Sequence, residues 1–416
     1  MIKKKIWIMN HYATNSFYNK GGRHYWFSEQ LIKKGYEPVI FCANTRHNSD
    51  EIIEIKNEKY TCKIIDNIPY VFVKTVPYRN NGLNRIKNII FFYKNLFHVV
   101  KKYKEKHGKP DVILASSVHP LTLVAGIKIA KKLGIPCICE VRDLWPESLV
   151  AYGTLNEKSI ITKLLYFGEK WIYKRADKII MTWQGGKDYI VDKCWEKKVS
   201  LSKVKYISNG VVIDTFDKNS EEYVISDPDL DNKNYKNIIY TGSIRKVNNL
   251  GLILNVARII QDKGYNNIRF LIYGSGNQMQ QLKKRCEMEN ITNVIFKGSV
   301  DKKYVPSILT KSDINILHNS STSLDKYGQS QNKLFEYLAS GNCIIQTYTT
   351  GYSICDKYKC GVSPSIQNEE QIAKIIIDTI NDNDKRRFMG INARQAAYDF
   401  DFSKLTNKLI DIIESL

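Results

Sequence analysis

The sequence predicts an α/β protein with two doubly wound parallel sheets, and three observations lead to that fold class. Short apolar runs alternate with longer amphipathic stretches, glycine-containing loops follow several of the apolar runs, and a polar stretch at 221–236 interrupts the alternation. Strands that alternate with helices form βαβ units on parallel sheets. The chain of 416 residues has room for two such domains, because a typical domain holds roughly 100–200 residues.

The first half is predicted to contain six strands and four helices. A strand is favoured where a short apolar run is bounded by polar residues, and a helix where apolar residues recur every three or four positions. The strands are expected at 6–9, 37–42, 70–73, 112–116, 136–141 and 178–181. The helices are expected at 24–34, 84–106, 121–133 and 160–175.

The second half repeats the alternation without repeating the sequence. Strands are expected at 237–240, 269–273, 294–297, 314–317 and 342–346. Helices are expected at 250–263, 278–289, 305–309, 332–339 and 369–381. We therefore predict a first domain of residues 1–208 and a second of 209–399, with a C-terminal helix within 400–416 that joins the first. Two such halves place a ligand in a crevice at the carboxyl ends of their strands.

Composition excludes several classes of protein. The hydrophobic fraction of 43% and the charged fraction of 25% are ordinary for a folded chain. Nine cysteines without a CxxC pair indicate neither a disulfide framework nor a zinc site, which favours a reducing compartment. The apolar run at 6–9 is too short for a signal peptide, and no uncharged run approaches the roughly 20 residues of a spanning helix. We expect a cytoplasmic protein. A peripheral position on the inner face of the cytoplasmic membrane is compatible with this expectation.

The charge balance indicates an anionic partner. Lysine and arginine number 63 against 42 acidic residues, a formal net charge of +21 at pH 7. Nucleic acid, phosphorylated small molecules and an acidic membrane surface all fit such a balance, and composition does not choose among them.

Glycine loops at predicted strand ends are the first candidate binding sites. Gly21 and Gly22 lie between the first predicted strand and the first predicted helix, where the backbone can approach an anion closely and the helix start favours negative charge. The spacing differs from GxGxxG, and a plain tight turn is the alternative.

Two further loops follow consecutive strands of the second half. One contains Gly242 and Ser243, then Arg245 and Lys246, which could neutralise a diphosphate. The next loop is Gly274-Ser275-Gly276. The alternative for the two cations is a solvated surface loop.

The segment 328–341 carries the sharpest signal. A polar loop with Ser330 and Gln331 leads into a helix that begins near Asn332. Lys333 lies near the helix start, where a cation is unfavourable unless an anion is close. Glu336 lies one turn further and could accept hydrogen bonds from ribose hydroxyls. The alternative is an ordinary Lys–Glu surface pair three residues apart.

Two clusters follow strands of the first half. His119 comes after the strand at 112–116 and could donate to an oxygen of a sugar or phosphate, although a structural histidine is the commoner case. After the next strand, Asp143 or Glu140 could orient an acceptor hydroxyl or act as a base, with Arg142 beside them. The alternative is an internal Arg–carboxylate pair.

Two other features receive their own predictions. Asp227, Asp229 and Asp231 form a DxDxD string in the polar stretch, which we interpret as a solvated loop and not as metal ligands. The helix at 84–106 has seven basic residues and an apolar stripe of Ile86, Ile89, Ile90, Tyr93 and Phe97. It either contacts an anionic membrane or packs its stripe on the sheet with its charges solvated.

Taken together, these motifs resemble the bacterial family-4, group 1 glycosyltransferases with a GT-B fold, over nearly the whole chain. The order and spacing of the motifs carry the resemblance. They are Gly21-Gly22, Ser117-Val118-His119-Pro120, the stretch 140–147, Asn209-Gly210, Tyr240-Thr241-Gly242-Ser243, Gly274-Ser275-Gly276 and Asn332-Lys333-Leu334-Phe335-Glu336. The strings at 142–146 and 332–337 are similar to the branch that builds capsule, O-antigen and related surface polysaccharides.

The resemblance implies two Rossmann-like domains that face a central cleft, with the acceptor on the first domain and the donor on the second. Arg245 and Lys333 would hold the diphosphate, Glu336 the ribose, and His119 the donor sugar. His119, Asp143, Arg245 and Lys333 are the implied catalytic residues, and Glu140, Arg142 and Asp143 the implied acceptor contacts. The remaining implied donor contacts are Gly21, Gly22, Gly242, Ser243, Lys246, Gly274, Ser275, Gly276, Ser299, Val300, Ser330, Gln331 and Asn332.

One position departs from the family pattern. Many members carry two glutamates spaced as E-x7-E, and here Gly328 stands at the first of these positions while Glu336 matches the second. The group that would hold the transferred sugar is therefore open, with backbone amides of 329–331 as candidates.

The implied reaction is retaining transfer of a sugar from a nucleotide-diphosphate sugar, with UDP favoured, and with no required metal or cofactor. The acceptor would be a saccharide or a lipid-linked saccharide in the synthesis of bacterial surface polysaccharides. Two alternatives stay open. One is a GT-B nucleotide-sugar epimerase, and the other is a basic nucleic-acid-binding protein, against which the charge is spread along the chain.

Overall fold

A computed structural model describes residues 4–47, 49, 51–79 and 82–416. The chain divides into two compact units, one of Met1–Ser208 with Leu405–Leu416 and the other of Asn209–Lys404. Each unit is an α/β layer structure around a largely parallel sheet. This arrangement confirms the predicted fold class of two doubly wound domains.

The first unit is built on an eight-stranded sheet with the order β3-β4-β2-β1-β5-β6-β7-β8. Its strands are β1 (Lys5–Met9), β2 (Glu37–Ala43), β3 (Tyr60–Ile65), β4 (Ile68–Val73), β5 (Val112–Ser116), β6 (Cys137–Val141), β7 (Lys178–Met181) and β8 (Val204–Tyr206). Its helices are α1 (Thr14–Asn19), α2 (Arg23–Lys33), α3 (Leu83–His107), α4 (Pro120–Leu133), α5 (Glu147–Ala151), α6 (Ile160–Arg175) and α7 (Gly186–Asp192).

The second unit is built on a six-stranded parallel sheet with the order β11-β10-β9-β12-β13-β14. Its strands are β9 (Lys236–Thr241), β10 (Ile268–Tyr273), β11 (Val294–Gly298), β12 (Ile314–Leu317), β13 (Cys343–Gln346) and β14 (Gly361–Val362). Its helices are α8 (Ile213–Glu222), α9 (Pro228–Asp231), α10 (Leu250–Asp262), α11 (Met279–Met288), α12 (Val305–Thr310), α13 (Asn332–Ala339), α14 (Ile354–Tyr358), α15 (Glu369–Asn381) and α16 (Asn383–Asp399). The last helix of the chain is α17 (Phe402–Glu414).

The sheet of the second unit is buried on both faces. Ile239 and Leu271 belong to one hydrophobic core, whereas the preceding or following residues Ile238 and Ile272 belong to the core on the other face. Successive side chains of a strand point to opposite faces, so a doubly covered strand must be apolar throughout. Strand order reverses between β9 and β12, and such a switch point is where open α/β sheets bind ligands.

The sequence missed an antiparallel edge in the first unit. Strand β3 pairs antiparallel with β4 through a two-residue turn at Asp66 and Asn67, both with positive φ. A turn of two left-handed residues suits a tight hairpin. No β3 side chain is buried, and this strand lacks the apolar run that marked the others.

The polar stretch at 221–236 lies inside the second unit, and its aspartates are ion-paired. Lys297 Nζ lies 2.6 Å from Asp227 Oδ1 and 2.7 Å from Asp229 Oδ2, and Lys311 Nζ lies 2.6 Å from Asp231 Oδ1. Asp227 is buried. The prediction of a solvated DxDxD string is therefore wrong for Asp227, whereas Asp231 is exposed. The partner lysines lie about 70–80 residues away in the sequence, so no local pattern shows these ion pairs.

Helix α3 packs through a different face from the one predicted. Its buried residues are Asn88, Phe92, Leu96, Val99, Val100 and Tyr103. Ile86 and Ile90 of the predicted stripe are exposed instead. The helix has apolar residues on two faces, and periodicity alone does not tell which face the sheet covers. Over the described residues, no helix is both long and apolar enough to cross a membrane.

Candidate functional site

Three loops meet at the carboxyl edge of the second sheet, after β9, β10 and β11. The amide of Gly242 donates to Tyr273 O at 3.0 Å, and the amide of Ile244 donates to Ser275 O at 2.8 Å. The amide of Gly274 donates to Gly298 O at 2.7 Å. These bonds join the predicted glycine loops into one layer beside the switch point.

Glycine is required where the loops touch. A Cβ on Gly274 would lie 1.8 Å from Gly242 O, and one on Gly276 would lie 2.1 Å from Ile244 O. Gly274 also has a φ of +151°, a conformation that other residues rarely adopt. The close approach thus depends on the two glycines that the sequence analysis singled out.

Helix α13 begins directly beside this layer. The amide of Thr241, at the end of β9, donates to the Tyr337 hydroxyl at 3.0 Å, which fixes α13 against the strand. Lys333, in the first turn of α13, reaches over the glycine loop, since a Cβ on Gly242 would lie 2.8 Å from Lys333 Nζ. The same Nζ lies 4.0 Å from the centre of the Tyr240 ring.

Lys333 is a buried cation without a hydrogen-bonding partner. Its Nζ is shielded from solvent, and no donor or acceptor of the described chain bonds it. Burial, followed by the charge of Arg245, lowers the pKa of Lys333 to about 7, and Glu336 opposes this shift. A shielded and unpaired ammonium at the start of a helix is a strongly unfavourable arrangement that an anion would relieve.

Arg245 adds a second cation that can meet a ligand. Its Nε donates to Ser243 Oγ at 3.2 Å, and its side chain is exposed. Lys246 begins the following 3₁₀ turn and is also exposed. The structure thus brings Arg245 and Lys333 together around Gly242 and Ser243, as the diphosphate prediction requires.

Glu336 forms an ion pair with a residue that sequence reasoning missed. Its Oε1 lies 2.7 Å from Lys302 Nζ, and the lysine side chain is largely exposed. Lys302 follows the turn that contains Ser299 and Val300, so this turn and Glu336 are neighbours. The alternative of a Lys333–Glu336 surface pair is wrong, because Lys333 Nζ is buried over Tyr240.

The loop before α13 is held from within the second unit. The amide of Asn209 donates to Ser330 Oγ at 2.8 Å, and Asn209 Nδ2 donates to Ser330 O at 2.6 Å. Gln331 Nε2 donates to the Tyr348 hydroxyl at 2.9 Å. Gly328 has a φ of +95°. The Ser330 and Gln331 side chains therefore stabilise the loop. It stays a prediction that Ser330, Gln331 and Asn332 contact a donor substrate.

His318 is a site residue that the sequence analysis did not name. It directly follows β12, its Nε2 donates to Asn249 O at 2.9 Å, and its Nδ1 accepts from Thr347 Oγ1 at 2.6 Å. Burial lowers its pKa to about 4, and the nearby Lys333 charge contributes to the shift. The signal was present, because His318 follows the end of a strand, as His119 does.

In the first unit, Glu140 is fully buried and bound by three donors. Arg23 Nε donates to Oε1 at 2.7 Å, while His24 Nε2 and Ser116 Oγ donate to Oε2 at 2.8 and 2.7 Å. Burial opposes ionisation, but the charges of Arg23 and His24 hold the pKa of Glu140 well below its usual range. This burial is contrary to the prediction that Glu140 contacts an acceptor. Its ion-pair partner is Arg23, which lies outside the 140–147 stretch where the sequence alternative placed the pair.

Arg23 continues this arrangement to the end of the unit. Its Nη2 donates to Ile207 O at 3.0 Å, and its Nη1 donates to Ser208 O. Gly22, with a φ of +111°, is the residue before α2 and directly precedes Arg23. The prediction placed Gly21 and Gly22 between the first strand and the first helix, but the short helix α1 intervenes.

His119 is paired with a second histidine. His119 Nε2 and His11 Nδ1 lie 2.7 Å apart, and both side chains are buried. Burial, followed by the charge of Arg85, lowers the pKa of His119 to about 3, so its ring is neutral at pH 7. His119, Asp143 and Trp145 line a small cavity of about 20 Å³. Arg142 directly follows β6, and its backbone amide donates to Ser117 Oγ at 2.9 Å.

Within the described parts of the chain, no group of three or more His, Cys, Asp or Glu side chains could hold a metal ion.

Comparison with known proteins finds a similar family for each unit. Residues 25–215 match Glycosyltransferase Family 4, and residues 225–396 match Glycosyl transferases group 1. An uncharacterized glycosyltransferase of Methanocaldococcus jannaschii is 24% identical over 267 residues, which are 62% of this chain and 65% of that protein. The match therefore spans slightly less than two thirds of the length of that relative.

Solved structures share the fold at low identity. The sucrose-phosphate synthase of Thermosynechococcus elongatus is 14% identical, with a TM-score of 0.71 and 99% coverage of both chains. The Anabaena protein HepE in complex with UDP is 14% identical, with a TM-score of 0.67 over 99% of this chain and 100% of that one. An α,α-trehalose-phosphate synthase (UDP-forming) of Burkholderia vietnamiensis is 11% identical, with a TM-score of 0.74 over 100% and 99%.

The two family matches cover most of both units and agree with the order of the motifs. The chain has the GT-B fold, and each of its two units is similar to a glycosyltransferase family.

Proposed function

We propose that this chain is a retaining glycosyltransferase that takes a sugar from a nucleotide-diphosphate sugar, with UDP as the favoured nucleotide. The observation that carries the proposal is the shielded and unpaired Nζ of Lys333 beside the Gly242 loop and at the start of α13. A diphosphate supplies the charge that this position lacks. The solved complexes of the Anabaena protein HepE with UDP and with UDP-glucose support the choice of donor class.

The proposed chemistry depends on charge that develops as the nucleotide departs. Lys333, Arg245 and the first amides of α13 would stabilise the leaving diphosphate, and such fixed electrostatic stabilisation is commonly the largest catalytic contribution. The acceptor hydroxyl would attack from the face that the diphosphate leaves and pass its proton to a phosphate oxygen. No enzymatic nucleophile and no metal ion are part of this scheme.

Glu336 is proposed to hold the ribose. In the unliganded chain Lys302 occupies its Oε1, and that lysine is largely exposed. A ribose would therefore exchange one surface ion pair, which is worth only about 0–1 kcal/mol, for two hydroxyl hydrogen bonds. The turn with Ser299 and Val300 is adjacent and is the proposed contact of the base.

The acceptor is proposed to be a saccharide or a lipid-linked saccharide of a bacterial surface polysaccharide, bound by the first unit with Asp143 and Arg142 among its contacts. His119 stays a candidate contact of the donor sugar through Nδ1, which is buried and bonded by no described residue. The capsule or O-antigen assignment rests on the resemblance of the motifs at 142–146 and 332–337.

The direct test is a panel of UDP-, GDP- and ADP-sugars in thermal-shift and calorimetric titrations. A ligand that binds only the folded chain raises its melting temperature, and we expect the UDP-sugars to do so. Product analysis with and without saccharide acceptors then follows. No binding of any nucleotide sugar would refute the proposal. Conversion of the donor without acceptor would indicate an epimerase, and salt-dependent retention on DNA without sugar-nucleotide binding would indicate a nucleic-acid-binding protein.

A further inference from the structure

Helix α6 presents an apolar stripe to solvent. Ile160, Ile161, Leu164 and Phe167 are 77, 65, 64 and 70% exposed. Their spacing of one, four and seven residues places them on one side of the helix. Gly168 lies on the same side, and a Cβ there would meet no atom within 4 Å. Contiguous exposed apolar surface of this kind marks an interaction site.

The orientation of α6 is fixed by its buried side. Thr162, Glu169, Ile172 and Tyr173 are buried. The hydroxyls of Tyr173 and Tyr189 donate to the two oxygens of Glu169 at 2.7 and 2.8 Å. A rotation that buried Phe167 would expose this hydrogen-bonded carboxyl group, so the outward stripe is a property of the fold.

Basic residues border the stripe. Lys163 and Lys174 are exposed, Lys170 is partly exposed, and Arg175 is exposed at the helix end. The single acidic residue of α6 is Glu169, which is buried. Helical spacing puts the three lysines along one border of the apolar stripe. This is the pattern of helices that lie in the surface of an anionic bilayer.

The two helices next in this layer also expose basic residues. Helix α4 packs against both α3 and α6. It exposes Lys128, Lys131 and Lys132 and contains no acidic residue. The first two turns of α3 expose Leu83 and Ile86 together with Lys87. We name the outward residues of these three helices the basic apolar face.

We propose that the basic apolar face docks on an anionic lipid bilayer, with the α6 stripe inserted and the lysines at the headgroups. Charge complementarity selects this occupant over a second copy of the chain. A symmetric dimer through this face would bring the same lysines together across the interface, and like charges repel. The inference deepens the proposed function, because a lipid-linked acceptor is presented at a bilayer. Only the purpose of the docking rests on the proposed function, and the docking itself does not.

The test is co-sedimentation of the full chain with vesicles. One set contains phosphatidylglycerol and phosphatidylcholine, and the other contains phosphatidylcholine alone. We expect binding to the first set that weakens with added salt. Leu164→Ser with Phe167→Ser should weaken it roughly 10- to 100-fold, because both side chains leave water on insertion. The matched control is Ile366→Ser, at a residue 64% exposed in the second unit, which should bind like the unmodified chain.

Three outcomes would overturn the inference. They are absence of binding to anionic vesicles, equal binding by the double variant and the control, and a dimer in sedimentation velocity that Phe167→Ser dissociates. Calorimetry with UDP, without vesicles, separates this inference from the proposed function. Nucleotide binding without vesicle binding would refute only the docking surface, and the reverse result would refute only the donor site.

Discussion

The carboxyl edges of the two sheets hold their charges in opposite ways. In the first unit, Arg23, His24 and Glu140 satisfy one another in the interior. In the second unit, Lys333 is shielded but has no hydrogen-bond partner among the described residues. A buried charge is tolerated when it is paired, and an unpaired one indicates a missing partner. The comparison teaches that the first cluster satisfies its charges internally, whereas the second has the properties expected of the anion site that we propose.

The largest expected effect is on stability, from breaking the first cluster. Glu140→Gln should lower the free energy of unfolding by about 3–5 kcal/mol, because it leaves the buried Arg23 guanidinium without its counter-charge. Urea titration followed by circular dichroism measures the change. The matched control is Glu169→Gln, since burial raises the pKa of Glu169 to about 8 and this carboxyl is mostly neutral at pH 7. Equal losses in the two variants would contradict the structural role of the Glu140 charge.

Removing the Lys333 charge in the second unit should weaken ligand binding without lowering the stability of the fold. Lys333→Ala should weaken UDP binding roughly 30- to 100-fold, or about 2–3 kcal/mol, because charge-assisted hydrogen bonds to the diphosphate are lost. The melting temperature of the unliganded variant should not fall, since an unpaired buried cation is removed. Calorimetry and thermal unfolding provide both values, and Lys246→Ala is the exposed control with a change below about threefold. Unchanged affinity in Lys333→Ala would rule out this donor site.

Nucleotide affinity should also depend on pH. The pKa of the free Lys333 ammonium is about 7, and a bound diphosphate should raise it. Binding then takes up a proton above pH 7. Affinity should therefore be level just below pH 7 and fall by up to about tenfold per pH unit above it. Titration of UDP at several pH values measures this slope, and a slope that persists in Lys333→Ala would assign it to another group.

A smaller effect is expected at the ribose position. Glu336→Gln should weaken UDP binding roughly fivefold, or about 1 kcal/mol, because hydrogen bonds to a neutral amide are weaker than those to a carboxylate. Lys302→Ala removes the competing partner of Glu336 and should leave the affinity equal or slightly higher. If Lys302→Ala weakened binding more than Glu336→Gln, the lysine and not the acid would be the ligand contact.

The smallest expected effect concerns metal ions. We predict that transfer to an acceptor is unchanged after dialysis against EDTA, because Lys333 and Arg245 supply the positive charge at the diphosphate. Rates measured before dialysis, after it, and after addition of Mg²⁺ or Mn²⁺ check this. Loss of activity that Mg²⁺ restores would contradict the scheme.

Much of the fold could be predicted because it rests on local patterns. The strands Val112–Ser116 and Lys178–Met181 and the helices Ile160–Arg175 and Glu369–Asn381 have the predicted bounds. The apolar runs are short and flanked by polar residues, which separates strands from helices. Strand β3 and helix α16 were missed, because the first buries none of its side chains and the second is rich in charge.

The donor-site candidates could also be predicted in part. One edge of the second sheet brings together Gly242, Gly274, Gly276 and Lys333. The glycines lie in loops that follow strands of this sheet, and Lys333 lies in the first turn of the helix beside them. Lys302 and His318 were missed, although His318 directly follows a strand. No local sequence pattern marks Lys302, because the residue drew attention only through its ion pair with Glu336.

The sequence by itself determined the alternation of strands and helices, the glycine loops at strand ends and the placement of Lys333 at a helix start. Only the tertiary structure decided which charges are satisfied. The Arg23–Glu140 and His11–His119 contacts join residues 117 and 108 positions apart, and no local pattern encodes such pairs. The tertiary structure likewise decided that one face of α6 is buried, with Glu169 bonded by Tyr189, and that Phe167 is left in solvent. The physical reason is that periodicity shows which residues share a face, whereas burial and pairing depend on what the rest of the chain brings to that face.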